Sequence, residues 1–348
     1  MPSDRNLVLQ KSATIRDVAR LAGVGVGTAS RVINNSPQVS SGTRASVLAA
    51  MAQLDFTPSP VARRLSLGKT LAIAAIVPFF TRPSPVERLR GIESLVVGSG
   101  YDLNVYNVET PERRDFLLQD LLRPERADGI LILSMSPRDA DVDRLASSTV
   151  PIVLIDANCP ALPMLSRVVG DDRAGGFAAT QHLIDLGHRR IGIITDPLAD
   201  AFNFTSNRDR YAGYLAALAE AGLPFTAKYH AYGQHGRAEA RRLAAAMLAA
   251  FERPTAIFAV SDTQALGVLE AARDLQLAVP GDLSVVGFDD IEIAEYLGLT
   301  TIRQQLFESG RRGMELLLGR LKGLPHEPVC EVLPSEVIVR GTTAPPRA

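Results

Sequence analysis

The chain has 348 residues, is 46% hydrophobic, and balances 37 Lys and Arg against 38 Asp and Glu. This length and hydrophobic content allow more than one globular domain. No apolar run is long enough to span a membrane, and the polar N-terminus, predicted to be disordered over 1–13, lacks a secretory pattern, so we expect a cytoplasmic protein.

The small net charge hides an uneven distribution along the chain. Residues 1–69 hold nine basic and three acidic side chains, a net charge of +6, whereas the other 279 residues carry a net charge of −7. A cationic segment can neutralise nucleic-acid phosphates, which an anionic one repels. Any nucleic acid is therefore expected to contact the N-terminal segment.

The first predicted elements are two short helices joined by a turn within residues 14–34. Thr14 and Asp17 form a helix-start pattern, and Gly23 suits a left-handed C-cap. The second helix is predicted from about Val26 to Asn34, with Ile33 on its buried face. A third helical pattern supplies further apolar core positions: Val47, Leu48, Met51 and Leu54. Together these patterns predict a helix-turn-helix that binds the DNA major groove.

Two other interpretations of this segment are a different small helical domain and a nucleotide-binding loop. Three core helices of some other small domain would give the same apolar spacing. A phosphate-binding glycine loop at residues 23–27 is disfavoured, because such a loop follows a strand and here it follows a helix.

A short helix is predicted at 61–67, since Ser59 can cap it and Pro60 suits its first position. Such a helix is too short to be stable alone. Beyond residue 70, six apolar runs alternate with helical patterns: 71–77, 129–133, 151–155, 190–194, 255–260 and 283–288. Further β segments are predicted in TTIRQQ (300–305) and in EVIVRGTT, separated by a helix of some 16 residues. This alternation predicts doubly wound, parallel α/β sheets in two lobes, between which the chain crosses three times.

Polar side chains follow several of these predicted strands, where ligands of parallel sheets bind. They are Asp156, Ser261, Asp262, Asp289 and Asp290, with Arg210 at the start of a helix. Carboxylates and a guanidinium can accept from and donate to sugar hydroxyls. Asp262 also fits a helix cap, and Asp289 with Arg210 also fits a structural ion pair. Cys159 and Cys330 are predicted to be buried thiols, and the histidines to be structural, with no metal site.

The motifs ATIRDVARLAGVGVGTASRVIN and TPSPVARRL, followed in order by the body patterns, resemble the lactose-repressor/galactose-repressor (LacI/GalR) family from Thr14 to about Thr343. The resemblance implies an all-α helix-turn-helix head at 14–57, a hinge at 58–69, and an α/β bilobed body at 70–348, similar to a periplasmic binding protein. Lobe 1 is predicted at about 70–168 and 302–331, and lobe 2 at about 169–301 and 332–348.

The resemblance also assigns DNA-binding positions. Val26, Gly27 and Arg31 match base-reading residues, and Arg31 is expected to prefer guanine. Phosphate contacts and helix caps are matched by Thr14, Thr28, Ser30, Asn34, Ser40 and Thr43. Hinge positions in the minor groove are matched by Ser59, Ala62 and Leu65, with Leu65 as a wedge, although Leu65 could instead pack the linker. Gly25 and Phe56 depart from the family's usual serine and tyrosine.

Effector-contact positions of the family fall on Asp156, Arg210, Ser261 and Asp289, and Phe79 and Ser84 are also predicted to contact the effector. Ser261 replaces a common asparagine. The family's NPFF motif reads Arg82, Pro83, Ser84, Pro85 here, and Phe79 and Phe80 come earlier instead, so the aromatic wall is expected to be different or displaced. The implied protein is a homodimeric repressor without a cofactor. It binds a palindromic operator, and a small molecule, a sugar or sugar derivative, controls it. The chain's last residues lack a leucine-heptad pattern, which favours a dimer over a tetramer.

Two alternatives belong to other functional classes. A bilobed sugar-binding receptor without DNA function would need an export signal and no basic head. A Rossmann-type enzyme would need a strand-led glycine loop or a nucleophile motif, and the sequence shows neither.

Overall fold

The computed structural model describes residues 13–57, 64, 68–324 and 327–347. The chain divides into two compact units, Met1–Thr70 and Leu71–Ala348, which we call the head and the body. The predicted hinge residues Ser59, Ala62 and Leu65 lie outside the described residues, as does most of the predicted extension at 1–13.

The described part of the head contains three helices: α1 (Ile15–Leu21), α2 (Val26–Ile33) and α3 (Ser41–Gln53). The predicted start of α1 is confirmed, because Thr14 Oγ1 accepts the Asp17 N–H and the Asp17 carboxylate accepts the Thr14 N–H. Gly23, with φ of +66°, turns the chain towards α2 in a conformation that side chains disfavour.

Apolar side chains from all three helices form the core of the head: Val18, Ala19, Ala29, Val32, Val47 and Ala50. Met51 and Leu54 pack against this core as predicted. Leu48 is 51% exposed, so its prediction as a core residue is wrong. It follows Val47 directly, and the turn of about 100° per residue places its side chain at the edge of the core-facing stripe, towards solvent. Ile33 is half-buried and is the last residue of α2, one residue before the predicted end.

The described part of the body contains two six-stranded sheets. The first has the order β11-β5-β4-β3-β1-β2 and the second β12-β10-β9-β8-β6-β7. The strands are β1 (Ala72–Pro78), β2 (Asp102–Val108), β3 (Gly129–Leu133), β4 (Ile152–Ile155), β5 (Ser166–Gly170), β6 (Ile191–Thr195), β7 (His230–Tyr232), β8 (Ala256–Ala259), β9 (Ser284–Asp289), β10 (Thr300–Arg303), β11 (Cys330–Leu333) and β12 (Glu336–Ile338). We call the parts built on these sheets lobe 1 and lobe 2.

Helices cover the sheets: α4 (Pro83–Val96), α5 (Pro111–Asp120), α6 (Asp139–Ala146), α7 (Asp172–Asp185), α8 (Ser206–Glu220), α9 (Arg237–Leu248), α10 (Asp262–Asp274), α11 (Glu292–Tyr296) and α12 (Leu306–Leu321). Both faces of the first sheet are buried. Along β1, Ala74 and Ile76 enter one core cluster, whereas Ile73, Ala75 and Val77 enter another on the opposite face. The predicted doubly wound architecture is confirmed.

All pairings in the first sheet are parallel, and in the second the edge pair β10–β12 is antiparallel. The six apolar runs form β1, β3, β4, β6, β8 and β9 within one residue of their predicted limits. The chain passes between the sheets after β5, β10 and β11. These strands end at Gly170, Arg303 and Leu333, so each crossing begins slightly later than predicted.

Cys159 is buried, but Cys330 is exposed on the edge strand β11, so the prediction of a buried thiol is wrong there. Within the described ranges, no helix is both long and apolar enough to cross a membrane.

Candidate functional site

The exposed surface of α2 carries the three predicted base-reading positions. Val26 is 45% exposed, and the side chain of Arg31 is exposed in the last turn. A Cβ placed at Gly27 would meet nothing within 4 Å, so the backbone there is open to close approach. Gly25 caps α2 without a side-chain hydrogen bond, in agreement with the expected loss of a cap.

The predicted phosphate and cap positions have local roles. Thr14 caps α1 and Ser40 caps α3, accepting from Thr43 N at 3.3 Å. Asn34 Nδ2 donates to Ser30 Oγ at 3.5 Å, while its Oδ1 is buried without a partner in the described part of the chain. Thr28 and Thr43 are both half-buried. DNA contact at these positions remains a prediction.

A cavity of about 370 Å³ lies between the carboxyl ends of strands from both lobes. All six predicted effector positions line it: Phe79, Ser84, Asp156, Arg210, Ser261 and Asp289. The strand-end rule therefore located the cavity, because Asp156 follows β4, Ser261 follows β8 by two residues, and Asp289 ends β9.

Arg210 forms the charged floor of the cavity in lobe 2. Its Nε donates to Asp172 Oδ1 at 2.7 Å and its Nη1 donates to the Val260 carbonyl at 2.6 Å. Asp289 Oδ1 lies 3.6 Å from Nη1, and the guanidinium carbon lies 3.7 Å from the centre of the Phe288 ring. The ion-pair alternative for Arg210 and Asp289 thus holds in this structure, and ligand contact remains a prediction.

Close packing of α7 on α8 fixes the position of Arg210. A Cβ at Gly176 of α7 would lie 2.2 Å from the Arg210 carbonyl oxygen. A Cβ at Gly213 of α8 would lie 2.2 Å from the Arg173 carbonyl oxygen. These glycines allow the helix backbones to touch, which brings Asp172 within reach of Arg210.

A second ion pair belongs to lobe 1 and connects to the first. Arg88, on the buried face of α4, lies 2.9 Å from Asp156 Oδ2. Gln304, in the crossing after β10, accepts from Arg88 Nη2 at 3.1 Å and donates to Asp289 Oδ1 at 2.5 Å. One hydrogen-bonded chain of buried side chains therefore runs from lobe 1 to lobe 2.

Burial is the main cause of the pKa shifts of the carboxyl groups around Arg210. It raises the pKa of Asp172 to about 6, although Arg210 favours the ionised form. Burial also raises the pKa of Asp289, which Arg210 and Arg88 oppose. Hydrogen-bond donors on a ligand would therefore stabilise the ionised form of these buried carboxyl groups.

Aromatic side chains cover another side of the cavity. The rings of Phe79 and Phe202 meet edge to face at 5.4 Å, and Phe202 stacks on Phe204 at 5.5 Å. The expected displacement of the aromatic wall is consistent with this arrangement. Phe202 and Phe204 come from residues 196–205, between β6 and α8, which we call the cleft loop.

The cleft loop joins the two lobes. Ser136 N donates to the Asn203 carbonyl at 3.3 Å, and Asn203 Nδ2 donates to the Ser136 carbonyl at 3.2 Å. Met135 and Phe204 form an antiparallel bridge. Lobe 2 therefore closes over the cavity through direct backbone contact with lobe 1.

Ser261, which also lines the cavity, and Asp262 have separate roles at the start of α10. Ser261 caps α10, with its Oγ accepting from Gln264 N at 3.2 Å. Asp262 is the first residue of the helix and fully buried, where it accepts from Ile291 N and Thr301 Oγ1. The prediction that Asp262 caps the helix is wrong, because Ser261 occupies that position.

His235 lines the cavity, with its Nδ1 3.1 Å from Asp196 Oδ2, so a structural role does not fully describe it. His188 is buried between Thr255, Ser284 and the Ala344 carbonyl. His182 contacts Thr343 and His230 contacts Thr195. Among the described residues no cluster of three or more His, Cys, Asp or Glu could hold a metal ion.

The sequence analysis missed Arg88, Asp172, Gln304, Phe202 and Phe204. Arg88 carried a usable signal, since it is a charged residue on the otherwise apolar face of α4. Gln304, Phe202 and Phe204 reach the cavity through a chain crossing and a loop, which leave no periodic pattern, and Asp172 acts behind the lining as the partner of Arg210.

Comparisons with known proteins agree with this architecture. Residues 14–59 match the family model described as bacterial regulatory proteins, lacI family, and residues 180–343 match a periplasmic binding protein-like domain. The HTH-type transcriptional repressor PurR of Photobacterium profundum is 34% identical over 333 residues, covering 94% of this chain and 98% of that protein.

Solved structures give the same result for the fold. The lac repressor dimer bound to operator and the anti-inducer ONPF has a TM-score of 0.83 at 28% identity, covering 96% of this chain and 100% of the other. The transcriptional regulator CelR in complex with cellobiose has a TM-score of 0.70 at 31% identity, covering 95% and 99%. The family-model matches of the head and of the body agree with the full-length relatives. Together they show that the chain is a DNA-binding transcriptional repressor of the LacI family.

Proposed function

We propose that this repressor binds a sugar or sugar derivative in the cavity between its lobes and that this ligand controls its affinity for a palindromic operator. The observation that carries the proposal is that one cavity is lined both by buried charged groups around Arg210 and by an aromatic wall around Phe202. Carboxylates accept from sugar hydroxyls, a guanidinium donates to them, and aromatic rings pack against the apolar face of a sugar ring.

The head is the part of the protein that is proposed to contact the DNA. Val26, Gly27 and Arg31 would meet base edges, and the predicted phosphate positions would fix the register of α2. The hinge positions Ser59, Ala62 and Leu65 are proposed to act in the minor groove on the resemblance alone. The near relatives named as repressors support a regulatory protein without enzymatic activity.

Coupling is proposed to act through closure of the lobes. The cleft loop and Gln304 already connect both lobes around the cavity, so a ligand that touches both lobes changes the stability of the closed arrangement. A coupling free energy of about 1–3 kcal/mol between ligand binding and DNA binding is enough to change the affinity for DNA substantially. A homodimer is proposed, which would place two heads on the two operator half-sites.

Two solved relatives favour a sugar as the ligand class. One is the CelR complex with cellobiose, and the other is an Enterococcus faecium LacI-family regulator with bound ribose. The second, at 25% identity and a TM-score of 0.68, covers 79% of this chain and 99% of its own.

A thermal-shift screen of the full-length chain with sugars and with nucleobases or nucleosides tests the proposal. A sugar present at about 100 times its dissociation constant should stabilise the protein by about 2.7 kcal/mol. Asp289→Asn should weaken this response, while Asp274→Asn, on the surface of α10, should not. A response confined to nucleobases or nucleosides, or a response untouched by Asp289→Asn, would contradict the sugar proposal.

A further inference from the structure

Most charged side chains that line the cavity are already engaged within the described part of the chain. Each carboxylate has a specific partner. Asp156 pairs with Arg88, Asp289 with Gln304 and Arg210, Asp196 with His235 and Gln264, and Asp200 with the N–H groups of Phe202 and Phe204.

Arg82 is the exception among these charged groups. It precedes α4, lines the cavity, and is half-buried, yet within the described residues its guanidinium makes no hydrogen bond or ion pair. The guanidinium carbon lies 3.8 Å from the centre of the Phe79 ring, which holds the side chain in place. Burial lowers the pKa of Arg82 and the nearby Asp196 only partly opposes this effect. A cation that has lost hydration without gaining a counter-ion favours an anionic ligand.

Ser84 offers hydrogen-bond donors beside this cation. Its hydroxyl lines the cavity and has no hydrogen-bond partner in the portion of the chain that is described. Its backbone N–H belongs to the first turn of α4, where no intrahelical carbonyl is available. The neighbouring Pro83 and Pro85 have no N–H group, so Ser84 supplies the backbone donor at this corner.

We propose that the ligand of the cavity is an acidic sugar, whose carboxylate or phosphate group is bound by the Arg82 guanidinium and by Ser84. The inference rests on the proposed sugar-binding function and specifies the charge of the sugar. The hydroxyl groups of the same ligand would face Asp289 and Arg210 on the other side of the cavity, while Phe79 and Phe202 pack against its ring. A neutral sugar would leave the charge of the half-buried Arg82 guanidinium without a counter-ion.

Matched pairs of sugars test this proposal on the full-length protein by titration calorimetry and thermal shift. Each neutral sugar is compared with its acidic counterparts, for example glucose with gluconate, glucuronate and glucose 6-phosphate, and galactose with galacturonate. At least one acidic sugar should bind about ten- to a hundredfold more tightly than its neutral partner, the usual effect of a hydrogen bond to a charged group. The carboxylate and phosphate arms show which anion is preferred.

Variants of Arg82 assign the preference to this side chain. Arg82→Gln should abolish the preference for the acidic sugar, and Arg82→Lys, which keeps the charge, should retain part of it. Arg90→Gln is the matched control, because Arg90 lies on α4, the helix that Arg82 precedes, is exposed, and pairs with Glu87 at 2.9 Å. This control should bind as the unaltered protein does.

The outcomes separate this inference from the function on which it rests. Equal or tighter binding of the neutral sugars overturns the inference and leaves the sugar-binding proposal standing. An acidic preference that persists in Arg82→Gln also overturns it, because another group would then bind the anion. Failure of every sugar, neutral or acidic, to bind overturns both proposals.

Discussion

Replacing Arg210 with methionine removes the cation shared by two buried carboxylates. The Arg210 residue is 7% exposed, and its guanidinium lies 2.7 Å from Asp172 and 3.6 Å from Asp289. Methionine keeps an apolar stem against Phe288 but leaves both carboxylates without this partner. Loss of one partner of a buried ion pair costs about 3–5 kcal/mol. We therefore expect the free energy of unfolding at pH 7.5 to fall by about 3–5 kcal/mol.

The loss should shrink in acid. Burial already raises the pKa of Asp172 to about 6 and raises that of Asp289, and removal of Arg210 raises both further. At pH 5.5 more of these carboxyl groups are protonated in the folded variant, and a neutral carboxyl group does not need the cation. The difference in unfolding free energy between the variant and the unaltered protein is therefore expected to be smaller at pH 5.5 than at pH 7.5.

Urea titrations followed by circular dichroism at both pH values measure these differences. Arg241→Met is the matched control, because Arg241 and Asp274 form an ion pair whose side chains are 52% and 40% exposed. Such a surface pair contributes about 0–1 kcal/mol, so the control should remain close to the unaltered protein. The reasoning is refuted if Arg210→Met loses no more stability than the control, or if its loss is the same at both pH values.

Two further predictions concern the cleft loop and the buried carboxyl group. Asn203→Ala removes the hydrogen bonds to the Ser136 and Pro137 carbonyls, at 3.2 and 3.3 Å. Amide hydrogen exchange in residues 196–205 should therefore become faster, while exchange in α9 should not change. Unchanged exchange in the cleft loop would show that the Asn203 side chain does not hold the loop in place. Because the folded-state pKa of Asp172 is raised, its contribution to the free energy of unfolding falls as pH rises through about 6, with a slope of at most about 1.4 kcal/mol per pH unit. Urea titrations from pH 5 to 7.5 should show that the stability of Asp172→Asn relative to the unaltered protein increases with pH, and a constant difference would contradict the raised pKa.

The interior of the fold could be predicted from sequence because buried parallel strands are continuous apolar runs. GILIL at 129–133 became β3 without any shift, and the other runs moved by at most one residue. The edge strand β2 was missed for the opposite reason. Several of its side chains are exposed, so DLNVYNV at 102–108 has no uninterrupted apolar character.

Apart from Arg210 and Ser84, the cavity residues predicted from sequence lie at a strand end or one or two residues beyond it. Asp156 and Asp289 follow or end buried strands, and local sequence is enough to place them. Gln304 reaches the same cavity because the chain crosses between lobes there, and Phe202 because the cleft loop folds over it. Arg82 could be noted as a departure from the family motif, but the absence of a counter-ion among the described residues depends on the three-dimensional position of every nearby carboxylate.

The central claim is that occupancy of the cavity controls the head. Fluorescence anisotropy of the full-length protein on a palindromic duplex, selected from a randomised pool by the protein itself, measures the operator dissociation constant with and without a saturating sugar identified by thermal shift. We predict a change of about 5- to 150-fold on addition of the sugar, and a loss of specific binding in Arg31→Ala. An operator dissociation constant that the bound sugar leaves unaltered would contradict the account.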